Sequence, residues 1–149
     1  MRKIKDIISK PSEALEAMVA GLLKQSQRAD FIINMSTFGS ENTHDKRKCF
    51  GCAATCTIQQ LAGKDLTPAN ISSEIKRADA LDFDYEDMES FEMAIESARH
   101  GGMWRLFKYF NMDCPEDLEE AGFNLNTSDW DRQIDDVRKF IDVLKREGY

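Results

Sequence analysis

Apolar residues recur at intervals of three and four along most of this chain, and that spacing restricts it to helices. Near the C-terminus Trp130, Ile134, Val137, Ile141 and Leu144 step by four and three, the narrow stripe of a helix that packs on one side. Met103, Leu106, Phe107 and Phe110 fall at i, i+3, i+4 and i+7, with Trp104 and Tyr109 beside them, so a short helix here belongs to the core. Met88, Phe91, Ile95 and Ala98 make the inner face of a helix from about Glu86 to His100, which Gly101-Gly102 breaks. Leu15, Met18, Val19, Leu22 and Leu23 do the same for a first helix, capped by Ser9 or Ser12 with Pro11 in its first turn. Three prolines and eight glycines in 149 residues are too few for a chain of many tight turns.

The segments between these helices are less regular. Ala29 to Phe38 is ambiguous: Phe31, Ile33 and Met35 alternate as in a strand, while Ile32 fills the gap as a helix would. Gly39 to Asp45 reads as an exposed loop. Cys52 to Ala62 lacks proline and internal glycine, so it reads as a helix with Gly63 as its C-terminal cap. Thr67-Pro68 is a helix start, with Ile71, Ile75 and Ala78 on the buried side. Leu81, Phe83 and Tyr85 alternate with Asp82 and Asp84, a very short strand or extended linker. Asp113 caps a turn from Pro115 to Gly122, and Thr127 or Ser128 caps the last helix. The expectation is a single all-α domain over residues 1–149, a compact bundle of six or seven helices with at most a minor hairpin.

Charge is unevenly placed. The net charge is −7, yet Asp79, Asp82, Asp84, Glu86, Asp87, Glu89, Glu92 and Glu96 alone supply −8, with no Lys or Arg between Ala78 and Ala98. An acidic balance argues against non-specific nucleic-acid binding, which a basic face sustains. No apolar run is long enough for a membrane span, and the basic start Met1-Arg2-Lys3-Ile4-Lys5 is followed by too short an apolar run for a signal peptide. A cytoplasmic chain is expected, with its four cysteines reduced or bound to metal rather than paired.

Chemistry has one concentrated location, the run from Lys46 to Gly63. Cys49, Cys52 and Cys56 lie at i, i+3 and i+7 and would share a face of one helix. Three thiolates there are strong ligands for zinc or an iron–sulfur cluster, and His44 or Cys114 could complete the set. Structural zinc sites show two separated ligand pairs, and a second pair is missing here. Buried cysteine packing as a small hydrophobe accounts for the same residues. Cys49-Phe50-Gly51-Cys52-Ala53, behind the basic Lys46-Arg47-Lys48, resembles over five residues the nucleophile region of papain-like peptidases. That resemblance implies Cys52 as nucleophile and His100 as its base. Gly51 stands one place later than in that family, and Ala53 replaces its aromatic residue.

Asp82-Phe83-Asp84-Tyr85-Glu86 begins like a calcium loop, but position six is Asp87 instead of glycine and position twelve is Met93 instead of glutamate. Walker, dinucleotide and serine-elbow patterns are missing. The carboxylates offer a different use: a surface that meets a basic partner, with Tyr85 and Phe83 as anchors. The expected function is a cofactor-free, non-enzymatic binding module of inhibitor, immunity or adaptor type. Its contact residues are Asp79, Asp82, Asp84, Tyr85, Glu86, Asp87, Glu89, Glu92 and Glu96. The alternatives are a metal or redox protein using Cys49, Cys52, Cys56 and His44, and a cysteine hydrolase.

Overall fold

The computed structural model describes residues 1–120, 122–125 and 129–149. It is 54% helical, with seven helices and a three-stranded sheet among those residues. The chain is therefore mostly helical without being purely all-α. The helices are α1 Pro11–Gln25, α2 Ala53–Ala62, α3 Glu74–Leu81, α4 Tyr85–Arg99, α5 Trp104–Tyr109, α6 Glu116–Glu120 and α7 Trp130–Arg146. A single 3₁₀ turn, Ile4–Asp6, precedes them. The strands are β1 Phe31–Ile33, β2 Ser40–Glu41 and β3 Cys49–Gly51.

The middle of the fold is α2. Every residue from Ala53 to Gln59 is buried, the pattern of a helix enclosed on all sides. Gly63 ends it in the left-handed conformation at φ 66°, which glycine adopts without a Cβ clash. α1 and α4 pack against α2, and α7 packs against α1. Contact between α1 and α2 is close enough that a Cβ on Gly21 would sit 2.4 Å from the Cys56 carbonyl oxygen. Leu15, Met18 and Leu22 of α1, Ile58 of α2, Phe91 and Ile95 of α4, Phe107 of α5 and Leu144 of α7 are all completely buried. Fully burying one such side chain is worth about 2 kcal/mol, so this contact set dominates stability.

Helical spacing located α1, α2, α4, α5 and α7 within a few residues, but details at their ends differ. Lys10, not a serine, precedes α1; Ser12 lies buried inside it, and Ser9 bonds Glu13. The capping role expected of Thr127 or Ser128 lies outside the described residues.

The sheet is the main departure. β1 runs parallel to β3, pairing Phe31 with Cys49 and Ile33 with Gly51. β2, inside the expected loop, pairs antiparallel with β3. Cys49 thus belongs to a strand and Cys52 to the N-cap of α2, so the three thiols do not share one helical face. A second departure is the start of α3. The Asn70 side chain accepts the Thr67 N–H at 2.8 Å, turning the chain after Thr67-Pro68, and the helix begins only after Ser73, whose hydroxyl accepts the Lys76 N–H at 3.1 Å. Ile71 is buried outside the helix, while Ile75, expected inside, is 62% exposed and Arg77 is buried in its stead. Between α3 and α4, Phe83 forms an isolated parallel bridge with Arg2.

Candidate functional site

Two regions were expected to carry function, and the fold treats them differently. At the β3–α2 corner, all three clustered thiols are buried. Cys49 Sγ lies 3.5 Å from the Asp30 carbonyl oxygen, and burial pushes its pKa up to about 11. Cys52 Sγ lies 3.7 Å from the Thr55 hydroxyl, which itself donates to the Phe38 carbonyl. The helix N–H groups of Thr55 and Ala54 favour a Cys52 thiolate, but desolvation is larger and raises its pKa. Cys56 is raised further, first by burial and then by Cys52. His44 is exposed in the loop before β3. Among the described residues no group of three or more His, Cys, Asp or Glu side chains is arranged to hold a metal ion.

Cys52 lines a cavity of about 120 Å³ together with Ser36, Thr37, Phe38, Glu96 and Arg99. The polar walls of that cavity are already engaged. Arg99 grips Glu96 with two bonds of 2.8 and 2.6 Å and also donates to the carbonyls of Leu125 and Met35. His100 is an exposed C-cap of α4 whose Nε2 lies 3.4 Å from Glu96 Oε1. Cys52 and His100 share no hydrogen bond among the described residues, so the pair implied by the peptidase resemblance is not assembled.

In the acidic segment, five of the eight carboxylates are engaged by other groups of the fold. Asp84 caps α4, accepting the Asp87 N–H at 3.0 Å. Asp87 accepts the Ile4 N–H at 2.7 Å and the Tyr109 hydroxyl at 2.9 Å, joining the N-terminus to α4 and α5. Asp82 is the left-handed C-cap of α3, 4.0 Å from Arg2. Glu92, expected on the solvent face, is buried against Arg77 at 3.3 Å. Burial raises its pKa to about 7, outweighing the attraction of Arg77. Glu96 is held by Arg99 and His100. Glu89, Glu92 and Glu96 fall three and four apart on α4, but they form no repelling stripe, because the second is buried and the third is paired.

What remains outside is a smaller surface on α3 and α4. Asp79, Glu86 and Tyr85 are exposed and Glu89 half-exposed. Tyr85 donates its hydroxyl to Glu74 Oε2 at 3.0 Å, bringing together the first turns of α3 and α4. Its pKa is pushed up to about 12, first by that bond and then by Glu89. Ile75, the residue after Glu74 on α3, stands 62% exposed. Setting the helix start at Thr67 left Glu74 unnoticed and put Ile75 on the buried side; Ser72-Ser73 before Glu74 was the signal that could have placed both. The ion pairs among the described residues include none of Glu74, Asp79, Glu86 or Glu89, and Lys76 on α3 makes none with them.

Comparison with known proteins returns no matching family model, curated protein or solved structure. No helix among the described residues is long and apolar enough to cross a membrane.

Proposed function

We propose that this chain is a protein-binding module that receives a basic partner on the outer face of α3 and α4. The observation that carries this reading is the set of four carboxylates on α3 and α4, Glu74, Asp79, Glu86 and Glu89, that make no ion pair among the described residues, on the same two helices as the exposed side chains of Ile75 and Tyr85. Glu86 and Glu89, three residues apart on α4, repel by a few tenths of a kcal/mol, and a lysine or arginine from a partner relieves that repulsion. The carboxylates steer encounter over about a Debye length, and Ile75 and Tyr85 supply apolar and amphipathic contact once the surfaces meet. An inhibitor, an immunity factor and an adaptor would all use such a face. Compared with the full acidic run, the contact set loses Asp82, Asp84, Asp87, Glu92 and Glu96, which have partners or caps within the fold, and gains Glu74 and Ile75.

The test is comparative capture from native lysate with three baits: the unaltered protein, Glu86→Lys/Glu89→Lys, and Asp131→Lys/Asp135→Lys as a charge-matched control on α7. The reading expects a protein with a basic surface retained by the first and third baits and lost from the second. Equal capture by all three would remove the α3–α4 face from consideration.

A further inference from the structure

The outer face of α3 rests on a buried ion pair that is poorly satisfied. Arg77 of α3 and Glu92 of α4 are each 2% exposed. Their hydrogen bond, Nη2 to Oε1, is 3.4 Å, well beyond the 2.7–2.9 Å usual for a charge-assisted contact. Arg77 Nε and Glu92 Oε2 have no hydrogen-bond partner. The other end of the guanidinium is well used: Nη1 donates to the Ile71 carbonyl at 2.8 Å and so ties α3 to the turn before it. The chain at Gly39 closes over the same place, since a Cβ there would lie 2.3 Å from Ile71 O and 3.2 Å from Arg77 Nη1. Arg77 thus joins α3, its preceding turn, the segment leading to β2, and α4.

We propose that the Arg77–Glu92 pair is a proton-operated latch: α3 is held firmly against α4 while Glu92 carries a proton, and loosens when Glu92 ionises. Two buried charges that leave an Nε–H and a carboxylate oxygen without partners have not recovered the hydration they lost. Opening α3 returns both to water, whereas a neutral carboxyl has much less to regain. The groups around Glu92 favour the same direction. Arg77 attracts its charge, but Glu74 from α3 and Glu89 from α4 repel it, and burial exceeds all three, setting the carboxyl at about 7. α2, also packed on α4, brings only Cys56 as a titratable side chain. Lys108 and Tyr109 of α5 lie beside Phe91 and Ala94, while Arg105 lines a pocket with Glu74 of α3 and with Met93 and Glu96 of α4. The 3₁₀ turn, with Lys3, Lys5 and Asp6, meets α4 near Asp87.

The sign follows from linkage. The closed state binds the proton more tightly than the open state, so rising pH favours opening. With the carboxyl at about 7 when closed and 4.5 when solvated, the open population of α3 rises roughly 30-fold between about pH 5.5 and about pH 8.5. α3 carries Glu74, Ile75 and Asp79, so this would regulate the docking face; that consequence rests on the functional reading above, whereas the latch does not.

The experiment is amide hydrogen exchange of residues 74–81 across that pH range, corrected for intrinsic exchange, on the isolated protein and on Glu92→Gln, a stand-in for the protonated acid. The latch predicts that protection of α3 falls by that factor while α1 keeps its protection, and that Glu92→Gln keeps α3 protected throughout. Flat protection in the unaltered protein, or the same decline in Glu92→Gln, would overturn it. Should Glu92→Gln not fold, the carboxyl carbon resonance of Glu92 in the unaltered protein decides instead: a midpoint near 7 supports the latch, and one below 5 refutes it. No partner enters these readouts, so the latch and the docking face fail independently.

Discussion

Replacing Gly21 with alanine sets two opposed effects against each other. In an unhindered helix interior the change gains about 1 kcal/mol, because alanine loses less backbone entropy than glycine. Here the new Cβ would sit 2.4 Å from the Cys56 carbonyl oxygen and 2.8 Å from its carbon, with Gln60 Cβ at 3.3 Å. The two nearest atoms are backbone atoms of a fully enclosed helix, so no side chain can swing aside. α1 must retreat by roughly 1 Å, spoiling the contacts of Met18 and Leu22 with the core. Overpacking of this kind costs about 1–3 kcal/mol, and an immovable neighbour puts Gly21 at the upper end. The net expectation is a loss of about 2 kcal/mol, or roughly 4–8 °C in Tm for a chain of this size. Urea unfolding followed by far-ultraviolet circular dichroism measures it. Ala20→Gly, at an exposed neighbouring site, calibrates the propensity scale in the same helix and should lose about 1 kcal/mol. A Gly21→Ala protein as stable as the unaltered one, or more stable, would mean that α1 does not cross α2 at Gly21.

Three further outcomes follow from burial and charge. Glu92, with its carboxyl raised from 4.5 to about 7, contributes stability that is fully present below pH 4.5 and lost as pH rises through about 7; the loss approaches ~3 kcal/mol, and denaturation midpoints of Glu92→Gln should lack that slope. At neutral pH a maleimide should label Cys114, the half-buried thiol, well before Cys49, Cys52 or Cys56, and comparable labelling of Cys52 would show that it is accessible and ionised. Ile141→Ala, at a site 5% exposed on α7, should lower stability by about 2–4 kcal/mol, and a change under about 0.5 kcal/mol would mark α7 as peripheral.

The helices were legible because each had to bury a stripe, and a stripe leaves a period in the sequence. Met88, Phe91, Ile95 and Ala98 are all buried on α4, as their spacing implied. The strands had no such signature. β2 is two residues long and β1 and β3 three each, too short to establish an alternation, and their pairing is set by contacts far along the chain. The start of α3 turned on a competition between two capping sequences, which the Asn70 side chain decided in favour of Ser73. The acidic run misled for a different reason. A sequence shows that Asp87 and Glu92 are charged, but not that Ile4, Tyr109 and Arg77 wait for them in the fold. Exposed and structural carboxylates look alike until their partners are placed.

The docking reading is tested most directly by the ionic-strength dependence of the association rate with a captured partner. Attraction between opposite charged faces speeds encounter at low salt, and salt screens it. Glu86→Lys/Glu89→Lys should associate more slowly than the unaltered protein at low salt and show a flattened or inverted salt response, while Asp131→Lys/Asp135→Lys keeps both. If Glu86→Lys/Glu89→Lys associates at the unaltered rate with the unaltered salt response, the carboxylates of α3 and α4 do not meet the partner and the docking site lies elsewhere.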